Sequence, residues 1–266
     1  MQRINKANLY RDAHMKQPDY GDFLDGILAV YSRPAPPRED KINEDCVALI
    51  PHGEHSGVIA VADGMGGGPD GELASRMTIE CVQHALRAAD EGQESLREII
   101  LDSIEAANQK IIGLSNGAGS TVSIVEIQGN TVRPYHVGDS MILVTGQRGK
   151  IKLQTLPHAP ISYAVESGLM EEVEAVHHDD RHLVSNFLGS TEMRIEIGPK
   201  VELAAKDTLV VASDGLGDNY LIDEIVQRIR KGSLEKVAEN LTEESVLRMT
   251  EHKEGRPGRQ DDLSFV

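Results

Sequence analysis

The chain has 266 residues, and its 43 Asp plus Glu against 27 Lys plus Arg give a formal charge of -16. That charge lacks the basic footprint that nucleic acid and anionic membrane surfaces require, so neither is an expected partner. The length allows one large domain or two small ones with a sizeable core.

Residues 1–26 are polar with scattered Tyr10, Tyr20 and Phe23, and read as an arm packed on the surface. A first strand is expected over 27–31. The stretch 32–40 holds Pro34, Pro36 and Pro37, which cannot join a ladder; it reads as a rigid connector or an active-site loop. Two strands follow, each with an acid at one end. Asn43, Glu44 and Asp45 lead into the apolar run 46–50, and the apolar run 58–62 ends in Asp63, then Gly64, Met65 and three glycines. Apolar residues at three- and four-residue spacing predict a helix over 71–89, and Ser95 with Glu98 forms a capping box for a second. From Ser120 the period changes to two. Strands are expected over 122–127, 131–137, 141–145 and 150–153, joined by tight turns into an antiparallel sheet.

Residues 155–196 are irregular, with a short helix over 163–168. The cluster His177, His178, Asp179, Asp180, Arg181 and His182 is dense in metal-type side chains. It reads as a solvated loop, because adjacent histidines on a regular backbone point in different directions. Strands return at 201–203 and 208–212, the second running into Ser213, Asp214 and Gly215. Helices are expected over 220–231, stopped by Gly232, and over 234–249. A polar loop, 253–259, delivers Asp261 and a strand-like tail. Cys46 and Cys81 sit among apolar neighbours and read as buried thiols, so no disulfide and a reducing, cytoplasmic compartment are expected. No apolar run of 18 residues and no signal-peptide pattern is present.

Four strand termini thus carry a carboxylate beside apolar β sequence: Asp45, Asp63, Asp214 and Asp261. A lone Asp-Gly pair is commonly a turn, but the design recurs. Four acids brought together without counter-charge would repel. Hard divalent cations with oxygen ligands remove that cost, and a pair of them can activate a water.

The set Asn43-Glu44-Asp45, Asp63-Gly64-Met65-Gly66-Gly67, Gly119-Ser120-Thr121, Gly138-Asp139-Ser140, Ser213-Asp214-Gly215 and Asp261-Asp262-Leu263-Ser264 resembles the metal-dependent protein phosphatases of type 2C, the PPM family, in its bacterial form. The resemblance implies an α+β fold, a four-layer α-β-β-α sandwich with two central antiparallel sheets. It implies a single domain over 27–266 with a flap at about 155–196. It also implies hydrolysis of phosphoserine and phosphothreonine on proteins by direct attack of a metal-bridging water, with two Mn²⁺ or Mg²⁺ ions and a weaker third, in a signalling pathway with a cognate kinase. Carried over by position, Asp63 resembles the acid bridging both metals and Gly64 the backbone ligand beside it. Asp214 and Asp261 match further ligands, Asp45 (with Glu44 beside it) the acid serving the second ion, and Asp139 the holder of the third. Three positions depart from the pattern. Asp40 replaces the usual phosphate-gripping Arg, leaving Arg38, Lys41 or Arg33 as substitutes; Met141 replaces an Arg and Asp262 an Asn. A weakly catalytic PPM-fold binding module, or a phosphatase for a small phosphorylated metabolite, are the alternatives.

Overall fold

The computed structural model describes residues 2–37, 41–65, 70–89, 95–251 and 256–266. Among them, one sheet runs in the order β1 (Gln2–Arg3), β3 (Asp19–Phe23), β4 (Gly26–Arg33), β14 (Leu263–Phe265), β13 (Thr208–Ala212), β9 (Met141–Thr145) and β10 (Ile151–Gln154). The other runs β11 (Glu196–Ile197), β8 (Thr131–Val137), β7 (Val122–Gln128), β6 (Ser56–Asp63), β5 (Asp45–Pro51) and β2 (Asn8–Arg11), with β12 (Val201–Glu202) also on β8. The pairings are antiparallel except for β1 with β3.

β5 and β6 are apolar at almost every position because both of their faces are covered. Cys46, Ala48, Ile50, Val58, Ala60 and Ala62 pack with the buried faces of α1 (Gly71–Ala88) and α2 (Leu96–Ile112). The alternate residues Val47, Leu49, Ile59 and Val61 pack with Val30, Ile142, Val144 and Val211 of the other sheet. The outer face of that sheet, including Tyr31, Leu143 and Ala212, is covered by α6 (Ile222–Ile229) and α7 (Leu234–Thr250). Four layers result, α-β-β-α, as the resemblance implies. α2 starts at Ser95 with the expected capping box, and both cysteines are buried and free. No helix among the described residues is long and apolar enough to cross a membrane.

Three expectations change. The segment read as a surface arm supplies β1, β2 and β3, and so pairs into both sheets; strands this short carry no periodic apolar signal. β4 runs on through Ser32 and Arg33, because Leu263 and Ser264 pair with them before the prolines intervene. The helix expected from 220 begins at Ile222, and a separate short helix, α5 (Asp214–Gly217), precedes it. The flap region contains α3 (Pro160–Glu166), α4 (Glu172–Ala175) and a 3-10 turn at Asp179–His182.

Asn219 couples α5 and α7 to the segment that leads into β14. Its side chain donates to the carbonyls of Gly215 and Arg259 at 2.8 and 2.9 Å and accepts from Arg259 N–H at 3.1 Å. Its own carbonyl takes Nη1 of the buried Arg248 at 2.6 Å, and that guanidinium lies 3.9 Å over the Tyr220 ring. Asn219→Ala leaves several buried backbone groups unpaired, at about 1–3 kcal/mol each. Urea unfolding should show a loss in that range or larger, against a negligible change for the exposed Asn240→Ala.

Candidate metal centre

Strand register alone brings the first two acids together. Asp45 opens β5, Asp63 closes β6, and the two are direct cross-strand partners. Side chains alternate along a strand, so Asp45 shares the face of Val47 and Leu49, and Asp63 that of Val61 and Ile59. Both acids therefore stand at one end of the layer between the sheets. From the opposite sheet, Ser213 continues the inward face of Val211, and its hydroxyl donates to Asp45 Oδ2 at 2.7 Å. Ser264, Ser32 and Asn43 extend this polar end through bonds of 2.8 and 2.9 Å.

Two glycines permit close backbone approaches here. A Cβ at Gly64 would lie 2.2 Å from the carbonyl oxygen of Gly71, and one at Gly215 would lie 1.9 Å from that of Asp262. The first contact seats the strand end of Asp63 against the start of α1. The second seats Asp214, at the start of α5, against the segment carrying Asp261. The carbonyl of Asp63 is held by Thr121 N–H at 2.8 Å and Ser120 Oγ at 2.9 Å, so the Gly119-Ser120-Thr121 motif braces the acid from behind.

The electrostatics show how tightly the acids crowd. Burial, then the charges of Asp214, Asp45, Asp261 and Asp139, pushes the carboxyl of Asp63 well above its ordinary range. Burial also raises Asp45 and Asp214 well above theirs, helped by Asp262 at the former and Asp261 at the latter. Asp139 rises to about 7, through burial and then the neighbouring Asp218. Asp261 rises to about 6 through burial, with Arg259 pulling the other way. The expected acids Asp45, Asp63, Asp139, Asp214 and Asp261 thus converge, and Asp218 joins them. Asp45 Oδ1 is buried without a hydrogen-bond partner. An all-oxygen donor set with an unpartnered buried carboxylate oxygen fits a hard divalent cation.

Other expected residues stand differently. Asp262 is no free extra charge, since its two oxygens accept from the backbone N–H of Ala35 at 2.8 Å and Glu44 at 2.6 Å. It ties the connector and the Glu44 turn to the C-terminal segment. Lys41 is exposed, and its charge acts on Glu44 and Asp262. Arg33 Nε donates to the Pro34 carbonyl at 3.1 Å. Arg38 and Asp40, with Gly66 and Gly67 of the glycine loop, lie outside the described residues.

Two constellations were absent from the sequence reading. Asp218 lies between two arginines, with Arg181 Nε on one oxygen at 2.6 Å and Arg259 Nη1 on the other at 2.8 Å. The second constellation joins His136, His158 and Glu196, within 4.8 Å of one another. The two imidazoles stack at 4.4 Å and 19°, so their in-plane lone pairs do not meet at one ion. His158 Nδ1 instead accepts from Gly138 N–H at 3.0 Å and from the Asn186 amide at 2.9 Å, which leaves Nε2 to donate to Glu196 at 3.1 Å. Its own N–H returns to the Gly138 carbonyl at 2.9 Å, and its carbonyl accepts from Ser185. Burial and His158 push His136 down to about 4, so it stays neutral. His158 therefore ties both ends of the flap to the turn bearing Asp139. No local spacing announces it, because its partners lie 20 and 28 residues away.

The family follows from sequence and fold together. A sequence profile of the protein phosphatase 2C family matches residues 37–252, and the chain belongs to that family. It is 30% identical to a protein phosphatase 2C-type protein of Streptococcus pyogenes over 191 residues, 69% of this chain and 77% of the relative. The serine/threonine phosphatase Stp of Listeria monocytogenes is 27% identical over 65% of this chain and 72% of its own length. Among solved structures, the serine/threonine phosphatase of S. agalactiae superposes with a TM-score of 0.75 at 26% identity, covering 89% of this chain and 96% of that one. PstP of Mycobacterium tuberculosis gives 0.70 at 25% identity, covering 89% and 95%.

Two outcomes follow from the site. The folded acids hold protons that the unfolded chain, with carboxyls near 3.8, has released, so raising pH from about 4 through about 7 removes stability from the metal-free protein. Thermal melts in chelator and in excess Mn²⁺ should therefore diverge more at about pH 8 than at about pH 5, and Asp139→Asn should narrow the divergence. His158→Ala unties the flap, so limited proteolysis should cut within 160–184 several-fold faster than in the parent, with α1 and α2 remaining protected.

Proposed function

We propose that this chain removes phosphate from phosphoserine and phosphothreonine side chains of proteins, and that Asp45, Asp63, the carbonyl of Gly64, Asp214 and Asp261 hold two Mn²⁺ or Mg²⁺ ions for that reaction. The observation that carries the reading is the convergence of five protonation-prone acids from five strand ends, with one buried oxygen left unpartnered. Asp139, its carboxyl beside Asp218, is the holder of a weaker third ion. Bound ions would supply the positive charge that lowers the pKa of a water and stabilises the phosphoryl oxygens. The related catalytic domain of PstP, which shares the fold at a TM-score of 0.69, has been solved with two manganese ions.

The chain's own residues set the frame for that chemistry. Ser213 orients Asp45 through one oxygen and leaves the other for a ligand. Ser120 and Thr121 fix the strand end under Asp63. Asp262 pins the Glu44 turn and the connector, the segment from which Lys41 and Arg38 would reach a phosphate. Both thiols, Cys46 on β5 and Cys81 on α1, are buried in the core between the helices and their sheet and are not placed to attack phosphorus. The substrate requires a protein serine/threonine kinase to supply it, and the free thiols suit the cytoplasm. Residues 27–266 are read as one phosphatase domain with its flap at about 155–196.

Asp63→Asn keeps the shape and removes the charge. Mn²⁺-dependent hydrolysis of a phosphothreonine peptide should fall by at least about three orders of magnitude. Calorimetry should show the tight Mn²⁺ sites lost. Retention of two tight sites, or near-normal turnover, would falsify the assignment.

A further inference from the structure

Between the flap and the loop carrying Asp261 lies a cavity of about 330 Å³. Its wall holds Arg181, Arg256 and Arg259 together with His177, His178 and His182, a local concentration of nitrogen donors on a chain of charge -16. Two carboxylates share the wall, against three guanidiniums. One of them, Asp218, already has an arginine on each oxygen. The other, Asp179, heads the 3-10 turn. His178 Nδ1 accepts from the N–H of Asp180 at 3.1 Å, so its ring hydrogen sits on Nε2 and remains a donor.

The cavity adjoins the acid cluster. Arg259 donates to Asp218 and lies 3.7 Å from Asp261 Oδ2, so one side chain borders both. A phosphorylated side chain at the acids carries its own peptide across the protein surface, and neighbouring residues follow at about 3.3 Å each. Such a neighbour would meet the wall that Arg259 shares with the acids. Guanidinium groups match carboxylate and phosphate oxygens bidentately, which suits them to read an anion there.

We propose that this cavity is a second anion subsite, which receives a carboxylate or phosphate side chain one to three residues from the scissile phosphoester. This rests on the reading of the chain as a protein phosphatase, and it names the class of sequence that phosphatase prefers. A substrate without an anionic neighbour leaves the wall unused.

Three series of phosphothreonine peptides, alike except for Ala, Glu or phosphoserine (as its non-hydrolysable phosphonate) at a flanking position within that range, test it. The Glu or phosphoserine peptide should give a kcat/KM about tenfold above the Ala peptide, mostly through KM. Comparing the two tells whether carboxylate or phosphate is the preferred anion. Arg256→Gln should bring the ratio close to one, and Arg256→Glu should invert it, which a generally damaged enzyme would not do. Equal rates for all three peptides, or a ratio unmoved in both variants, would overturn the subsite while leaving the phosphatase reading intact. Failure to hydrolyse even the Ala peptide with Mn²⁺ would overturn the phosphatase reading itself, and the subsite with it.

Discussion

Asp45 and Asp63 face each other across a strand pair, at the edge of the layer where two apolar sheets meet. Like charges directly opposite in an antiparallel pair repel, and a low-dielectric surrounding strengthens that repulsion. The fold adds Asp214, Asp261 and Asp139 to the same neighbourhood, so the conflict is built in by several strands at once. Neighbouring groups answer it only in part. Ser213 donates to one oxygen of Asp45, and Arg259 tempers Asp261 and Asp214. The remaining negative charge suits an oxygen-binding cation.

The four layers can be understood as the scaffold that makes this conflict tolerable. β5 and β6 hold their register through seven consecutive partners, and each strand is gripped on one face by helices and on the other by the second sheet. Repulsion at one end of such a pair has little leverage over the rest. Asn219, buried between α5 and α7, fixes the approach of Asp214 and Arg259 in the same manner. The acids are therefore presented by rigid strand ends. The segment 155–196, tied by His158 near both of its ends, borders them.

Much of the centre was legible because its acids sit where an apolar run stops, a local pattern that survives without knowledge of tertiary contacts. The capping box of Ser95 and Glu98, the hairpin after Ile127 and the buried thiols were legible for the same reason. The missing pieces depend on partners distant in sequence. The short N-terminal strands take their structure from β4 and β5, so Tyr10 and Tyr20 looked like scattered aromatics. Asp262 looked like one more charge near the site because its two backbone donors, at 35 and 44, lie more than 200 residues upstream. The pairing of Asp218 with Arg181 and Arg259 links three segments that no periodicity connects.

One further consequence concerns the order in which the chain is made. β14, only three residues long, sits in the interior of its sheet between β4 and β13, with Phe265 paired to Tyr31 on one side and Ala212 on the other. While a ribosome still shelters this segment, β4 and β13 have an empty lane between them, and neither Asp261 nor the Ser264–Ser32 contact exists. The sheet carrying β5 and β6 has no such gap, because all of its strands precede residue 203. Synthesis thus completes the strands of one sheet before those of the other, and the acid cluster gains Asp261 only once the segment 263–265 has paired between β4 and β13.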